Sequence, residues 1–151
     1  MRTAYSILAL ALGGILLSSC SDYPELPVLT LTSVDGTIIE LDANTPLTAL
    51  LFISVSNPVA IGALGKLPER LDDAADSVAI AMHVDRPPNV QYMQQGTLVP
   101  IVIDEANRIA DAFGGVELTP TLILVDEGRI LFHQRGNLDY DAINGIIRQA
   151  Q

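Results

Sequence analysis

Sulfur and positive charge are scarce in this 151-residue chain, which has one cysteine, two histidines and no tryptophan. A single cysteine excludes an internal disulfide, a CxxC redox pair and a zinc site built from several thiolates. Lys and Arg number 8 against 18 Asp and Glu, so the formal net charge is -10. Because an acidic surface repels phosphate backbones, nucleic acid is excluded as a partner.

The first twenty residues have the pattern of an export signal. Arg2 supplies a short positive segment, and residues 7–17 form an uninterrupted run without polar side chains. That run is too short for a helix that spans a bilayer, which needs about 20 residues, but it suits the apolar region of a signal peptide. The run leads directly into the letters LSSC, which place the only cysteine at position 20.

The LSSC sequence resembles the bacterial lipobox. The resemblance implies that residues 1–19 are removed and that Cys20, acylated, begins the mature chain. A lipid bilayer would then be a partner, since two or more acyl chains anchor a protein stably. By similarity to enteric lipoproteins, Ser21 implies the outer membrane, with the domain in the periplasm. The alternative is an ordinary signal peptide followed by a cysteine without a role.

After the signal peptide, the sequence divides into a tether and one domain. Residues 20–27 are polar, contain two prolines and are interpreted as a lipidated tether. Residues 28–151 are long enough to bury a single core. We therefore expect one globular domain held close to a membrane.

Strands and helices alternate along this domain. Apolar or alternating runs predict strands over residues 28–33, 37–41, 47–55, 78–84, 100–103, 121–125 and 130–134. Helical spacing and capping residues predict helices over residues 61–75, 89–95, 104–113 and 138–149. In the first helix the predicted buried stripe consists of Ile61, Leu64, Leu71 and Ala75, and Pro68 predicts a kink. This order of elements predicts an α/β sandwich.

Residues 100–136 resemble the second half of a bacterial extracytoplasmic thioredoxin-like domain, in particular the TlpA-type thiol-disulfide oxidoreductases, with peroxiredoxins as related proteins. The matching features are a strand that ends in Asp104, a helix that closes at Phe113, and Thr119-Pro120 before a strand and a hairpin. The resemblance implies a thioredoxin-like three-layer α/β/α sandwich with a central mixed β-sheet and a cis-proline loop.

In the family that this chain resembles, the backbone before the cis proline binds an extended peptide. The resemblance therefore implies a peptide-binding groove at Thr119 and Pro120. The alternative is a proline that only begins a strand, since the trans form is intrinsically favoured. The apolar wall of the groove is predicted to consist of Val55, Pro58, Val59 and Ile61.

The two cysteines of the family pattern are missing. Counted from Phe52 they fall on Asn57 and Ala60, whereas counted back from Pro68 they fall on Ala60 and Ala63. Thiol-disulfide exchange needs a thiolate and a second thiol, and peroxidase chemistry needs one nucleophilic cysteine, so neither alternative supports catalysis. The degenerate active-site loop consists of Ser56, Asn57, Pro58, Val59 and Ala60.

Soft metal ligands are also few. His83 and His133 lie on different predicted strands, and Met82 points to the opposite face from its neighbour His83. A pair of His83 and Met93 is the one Cu(I) arrangement that the sequence allows. We expect no resident metal and no cofactor.

These observations favour a membrane-anchored, redox-inactive lipoprotein of the bacterial cell envelope that binds a partner protein or peptide through the cis-proline groove. Two alternatives stay open. One is a divergent oxidoreductase or antioxidant protein that acts with partner thiols or a bound metal. The other is a structural envelope lipoprotein.

Overall fold

The computed structural model describes residues 24–84 and 86–151. The predicted signal peptide and Cys20 lie outside these residues. Within them, no helix is long and apolar enough to cross a bilayer. The strands are β1 (Leu29–Thr32), β2 (Ile38–Leu41), β3 (Thr48–Ser54), β4 (Asp76–Met82), β5 (Ile101–Ile103), β6 (Thr121–Asp126) and β7 (Arg129–Arg135). The helices are α1 (Pro58–Arg70), α2 (Pro87–Gln95), α3 (Arg108–Ala112) and α4 (Tyr140–Gln149).

Strands β3 to β7 form one mixed sheet in the order β5-β4-β3-β6-β7. Strands β3, β4 and β5 are parallel, whereas β6 runs antiparallel to β3, and β7 antiparallel to β6. Strands β1 and β2 form a separate hairpin, which a bridge between Ser33 and Val102 connects to the edge strand β5. Helices connect the parallel strands and cover the sheet, so the predicted sandwich with a mixed sheet is confirmed.

The sheet separates two apolar cores. Successive side chains of a strand point to opposite faces, and in β3 Leu51 and Ile53 enter one core while Leu50 and Phe52 enter the other. The first core packs against α1 and α4, through residues such as Leu64 on α1. The second packs against the β1–β2 hairpin and α3. A strand buried on both faces needs an unbroken apolar run, which is why β3 is easily predicted.

Helix α1 differs from its prediction at both ends. It begins at Pro58, three residues early, and ends at Arg70, so Ala75 lies outside it. Its buried residues are Ala60, Leu64 and Leu67. The helix ends here because the Asp72 carboxylate accepts the Ala74 N–H in a turn, and the Asn144 side chain binds the Arg70 carbonyl and the Asp72 N–H. Asn144 belongs to α4, so this ending depends on tertiary structure.

The bounds of β4 and of the helix predicted over residues 104–113 also differ from the prediction, for conformational reasons. Strand β4 starts at Asp76, two residues earlier than predicted, and stops before His83, which has a positive φ of 52°. The predicted helix over residues 104–113 is divided into a 3₁₀ turn (Glu105–Asn107) and α3. Asp104 is buried, and its carboxylate accepts the N–H groups of Ile109 and Ala110, so it caps α3 from outside the first turn.

The packed domain also begins earlier in the sequence than predicted. The Leu26 N–H donates to the Gly128 carbonyl at 2.8 Å, and the Ile130 N–H donates to the Pro24 carbonyl at 2.9 Å. Glu25 forms an antiparallel bridge with Arg129, and Leu26 belongs to the second core. Residues 24–26, which the sequence analysis assigned to the tether, are therefore part of the fold. The sequence gives no sign of this because the pairing is made with residues a hundred positions away.

We predict that Leu26→Ala lowers the free energy of unfolding by about 2–4 kcal/mol, since it removes a buried side chain from the second core. Leu26 is 6% exposed, whereas Val28 is 80% exposed, so Val28→Ala serves as the control and should change stability by less than about 0.5 kcal/mol. Chemical denaturation of both variants measures the difference. Equal, small effects would mean that residues 24–27 are a free tether.

Candidate functional site

The candidate site begins where β3 leads into α1. Asn57 is the N-cap of α1, and its side-chain oxygen accepts the Val59 N–H at 3.0 Å. Pro58 occupies the first helical position, where its missing N–H costs nothing. Asparagine is a preferred N-cap residue, so the letters N-P fix the start of this helix. The apolar spacing alone predicts a later start, at residue 61.

The second part of the site is the loop before β6. The Thr119-Pro120 peptide bond is cis, as predicted, and Pro120 is buried. The Pro120 carbonyl accepts the Gly136 N–H at 2.7 Å, and the Thr121 hydroxyl donates to the Leu118 carbonyl at 2.6 Å. These two bonds hold the loop against the end of β7 and the start of β6.

A side-chain amide joins the two parts. Asn57 Nδ2 donates to the Thr119 carbonyl at 2.7 Å and lies 3.3 Å from the Thr119 hydroxyl. The orientation of the amide is fixed by chemistry, since the Val59 N–H can only donate and the Thr119 carbonyl can only accept. Asn57 therefore caps α1 and contacts the proline loop at the same time.

A groove of about 700 Å³ extends from Pro120 between α1 and the start of α4. Pro58 and Val59 line it as predicted, but Val55 and Ile61 do not, because both pack against the first core. The remaining lining residues are Gly62, Ala63, Lys66, Arg70, Gly136, Asn137, Leu138, Asp139, Tyr140 and Asp141. Asn57 and Thr119 border the Pro120 end of the groove without lining it.

The wall formed by residues 136–141 is not predicted from the sequence. The letters G-N-L-D-Y-D predict the beginning of α4, but nothing in them indicates that it lies beside Pro120. The contact becomes visible only through the bond from Gly136 to Pro120. Asp139 caps α4 by accepting the N–H groups of Asp141 and Ala142, so its carboxylate is already engaged.

Charges of opposite sign lie on the two sides of this groove. Lys66 and Arg70 lie along α1, whereas Asp139 and Asp141 lie at the start of α4. Tyr140 is partly buried between them, and burial raises the pKa of its phenol, with the nearby Arg70 charge opposing that shift. The groove thus suits a chain segment with apolar side chains and charges of both signs.

The two alternatives for the missing cysteine pair occupy different environments. Asn57 lies at the start of α1, bonded to Thr119. Ala60 is fully buried in the first core, and Ala63, one turn further along, lines the groove. A helix N-terminus lowers a thiol pKa most at its first residues. Position 57 is the half-buried N-cap of α1, whereas position 60 is the third helical residue and is fully buried.

The residues considered for metal binding lie on several different elements of the structure. Met82 belongs to the second core and Met93 to the edge of the first, on opposite faces of the sheet. His83 is exposed after the end of β4, whereas His133 lies on β7, three strands away in the sheet and in register with Val78 rather than with the end of β4. Partial burial and the Arg135 charge lower the His133 pKa. Among residues 24–84 and 86–151, no group of three or more His, Cys, Asp or Glu side chains can hold a metal ion.

No family model matches the chain, and no curated protein matches it by sequence. Solved structures do match. StoA from Bacillus subtilis has a TM-score of 0.68 at 17% identity, over 82% of this chain and 98% of that one. A thiol:disulfide interchange protein of the thioredoxin family from Chlorobium tepidum has a TM-score of 0.69 at 20% identity, over 85% and 96%.

A third similar structure is the exposed lipoprotein thioredoxin of Streptococcus pneumoniae, with a TM-score of 0.65 at 17% identity, over 81% of this chain and 98% of that one. The chain has the thioredoxin-like fold. It shares this fold with disulfide oxidoreductases over nearly their whole length, yet its sequence holds a single cysteine, at position 20.

Proposed function

We propose that this chain is a membrane-anchored thioredoxin-fold protein of the bacterial cell envelope that performs no thiol-disulfide exchange and binds an extended partner segment in the groove beside Pro120. The observation that carries the proposal is the contact between Asn57 and Thr119. An amide stands at the start of α1, facing the cis proline, where exchange chemistry requires a thiolate.

The geometry favours Asn57 and Ala60 as the positions of the missing pair. Position 57 combines the helix N-terminus with contact to the proline loop, and position 60 is buried directly behind it. Neither asparagine nor alanine can attack a disulfide. The rest of the scaffold, including the cis proline, is retained, which supports a role in binding rather than in electron transfer.

We predict that the mature protein does not accelerate insulin reduction by dithiothreitol. The double variant N57C/A60C should gain reductase activity, because it restores a thiol at the helix start and a second thiol behind it. The matched control A60C/A63C carries the same two thiols in the other register and should stay inactive. Turnover by the unmodified protein would contradict redox inactivity, and an inactive N57C/A60C variant would contradict the assigned positions.

The membrane anchor rests on the LSSC sequence and on the position of the first packed residue. Only residues 21–23 separate Cys20 from Pro24, which already pairs with β7. Four residue steps span at most about 14 Å, so acylation at Cys20 would hold the domain against the membrane surface. One structure with the same fold is named an exposed lipoprotein, which supports an extracytoplasmic location.

We predict that labelled palmitate is incorporated when the full chain is expressed in a bacterial host, and that Cys20→Ala abolishes the label. Ser21→Ala is the control and should keep it. The mass of the purified mature protein should correspond to a chain that begins at residue 20 with added acyl groups. A mature chain whose Cys20 reacts freely with maleimide would show an ordinary signal peptide instead.

Partner binding rests on the exposed apolar side chains around the groove. Val59 lines the groove and is 65% exposed, and Leu118, two residues before the buried Pro120, is 51% exposed. Large apolar side chains grouped at a groove are typical of interaction sites. Main-chain pairing with an extended segment would supply affinity, and the flanking charges would supply selectivity.

We predict that a photoreactive amino acid at position 59 crosslinks to a discrete envelope protein in living cells. The same group at Ile38, which is 66% exposed but lies on β2, is the matched control and should not produce this adduct. Leu118→Ser should reduce the position-59 adduct severalfold, since it removes an apolar contact without disturbing a core. Identical adducts at positions 59 and 38 would contradict the groove as the binding site.

A further inference from the structure

Every carbonyl of the loop 118–120 already has a hydrogen-bond donor. The Leu118 carbonyl accepts the Thr121 hydroxyl, and the Pro120 carbonyl accepts the Gly136 N–H. The Thr119 carbonyl accepts Asn57 Nδ2. Thr121 is buried and Gly136 donates from the main chain, so these two bonds belong to the fold. Only the Asn57 bond comes from a half-buried side chain on another element, where rotation can release it.

The N–H groups of the same loop differ from its carbonyls in their hydrogen bonding. Pro120 has no N–H, and within residues 24–84 and 86–151 the N–H groups of Leu118 and Thr119 have no hydrogen-bond acceptor. A peptide that pairs with a residue in antiparallel fashion exchanges two bonds with it, one to the N–H and one to the carbonyl. At Thr119 the N–H is free for this exchange, and the carbonyl is occupied.

We propose that Asn57 is a gate on the groove: its carboxamide holds the Thr119 carbonyl in the free protein, and an extended peptide must displace it to pair fully with Thr119. This inference rests on the proposed binding of an extended segment. The Thr119 carbonyl already accepts a hydrogen bond of 2.7 Å from Asn57 Nδ2. A peptide N–H would have to replace this bond. Asn57 thus imitates one half of a ligand and lowers the affinity of the groove.

The size of the effect follows from one exchanged hydrogen bond. Replacing an internal bond by an equivalent intermolecular one yields little net gain, whereas a free acceptor would add about three- to tenfold in affinity. The gate also favours partners with a well-placed N–H group, because a weaker donor does not displace the amide. Once displaced, Asn57 Nδ2 is available to a carbonyl of the partner.

The gate is tested with linear peptides of twelve residues, selected by phage display on the mature Asn57→Ser variant. Serine keeps the helix cap but is too short to reach Thr119. Only peptides whose binding is abolished by Val59→Asp are kept, since these occupy the groove. We expect them to bind Asn57→Ser about three- to tenfold more tightly than the wild type, and Asn57→Ala, which also loses the cap, should show a similar gain.

Two controls separate the gate from general loosening of the fold. Asn144→Ser removes an amide that binds main-chain atoms at the other end of α1, and it should leave peptide affinity unchanged. In nuclear magnetic resonance spectra, the Asn57 side-chain amide should exchange slowly with water in the free wild type, and its signal should shift in the peptide complex because its acceptor changes.

The outcomes distinguish the gate from the proposed function. Peptides that need Val59 but bind the wild type and Asn57→Ser equally would overturn the gate and leave groove binding intact. An Asn57 amide signal that does not change on peptide binding would do the same. If no peptide requires Val59 in either protein, both the gate and the proposed groove function fall.

Discussion

The hydrogen bond from the Asn57 amide to the Thr119 carbonyl joins segments 62 residues apart and determines the character of the site. In a redox-active protein of this fold, a sulfur atom at the helix start must stay free to react. In this chain an amide at that position is held by two hydrogen bonds and supports structure. The surrounding elements keep their arrangement because the amide satisfies the helix end and the proline loop together.

Electron transfer and peptide recognition depend on different parts of a thioredoxin-like fold. Thiol-disulfide exchange needs sulfur atoms, whereas the proposed recognition would use the proline loop, the first turn of α1 and the start of α4. Loss of the sulfur atoms leaves the second set of features intact, including the exposed Val59 and Leu118. The absence of a cysteine pair is therefore compatible with the proposed binding surface, since function resides in sites rather than in folds.

Sequence patterns predicted those parts of the fold that local physics controls. The apolar runs of β3 and β6 are buried on both faces of the sheet, and their continuous apolar character predicted both strands. The loop at Pro120 was predicted through resemblance. The missed features depend on distant partners: α1 ends where Asn144 binds it, and the groove acquires its second wall from residues 136–141. No local pattern contains that information.

The pairing of residues 24–26 with the turn between β6 and β7 has a mechanical consequence. Tension on the N-terminus would reach the central sheet first through two main-chain hydrogen bonds and the buried side chain of Leu26. The Pro120 loop lies at the other end of β6, six residues along the strand, and so is shielded from that load by the full length of the hairpin. Force applied at the N-terminus would therefore separate residues 24–26 from the sheet before it distorts the Pro120 loop.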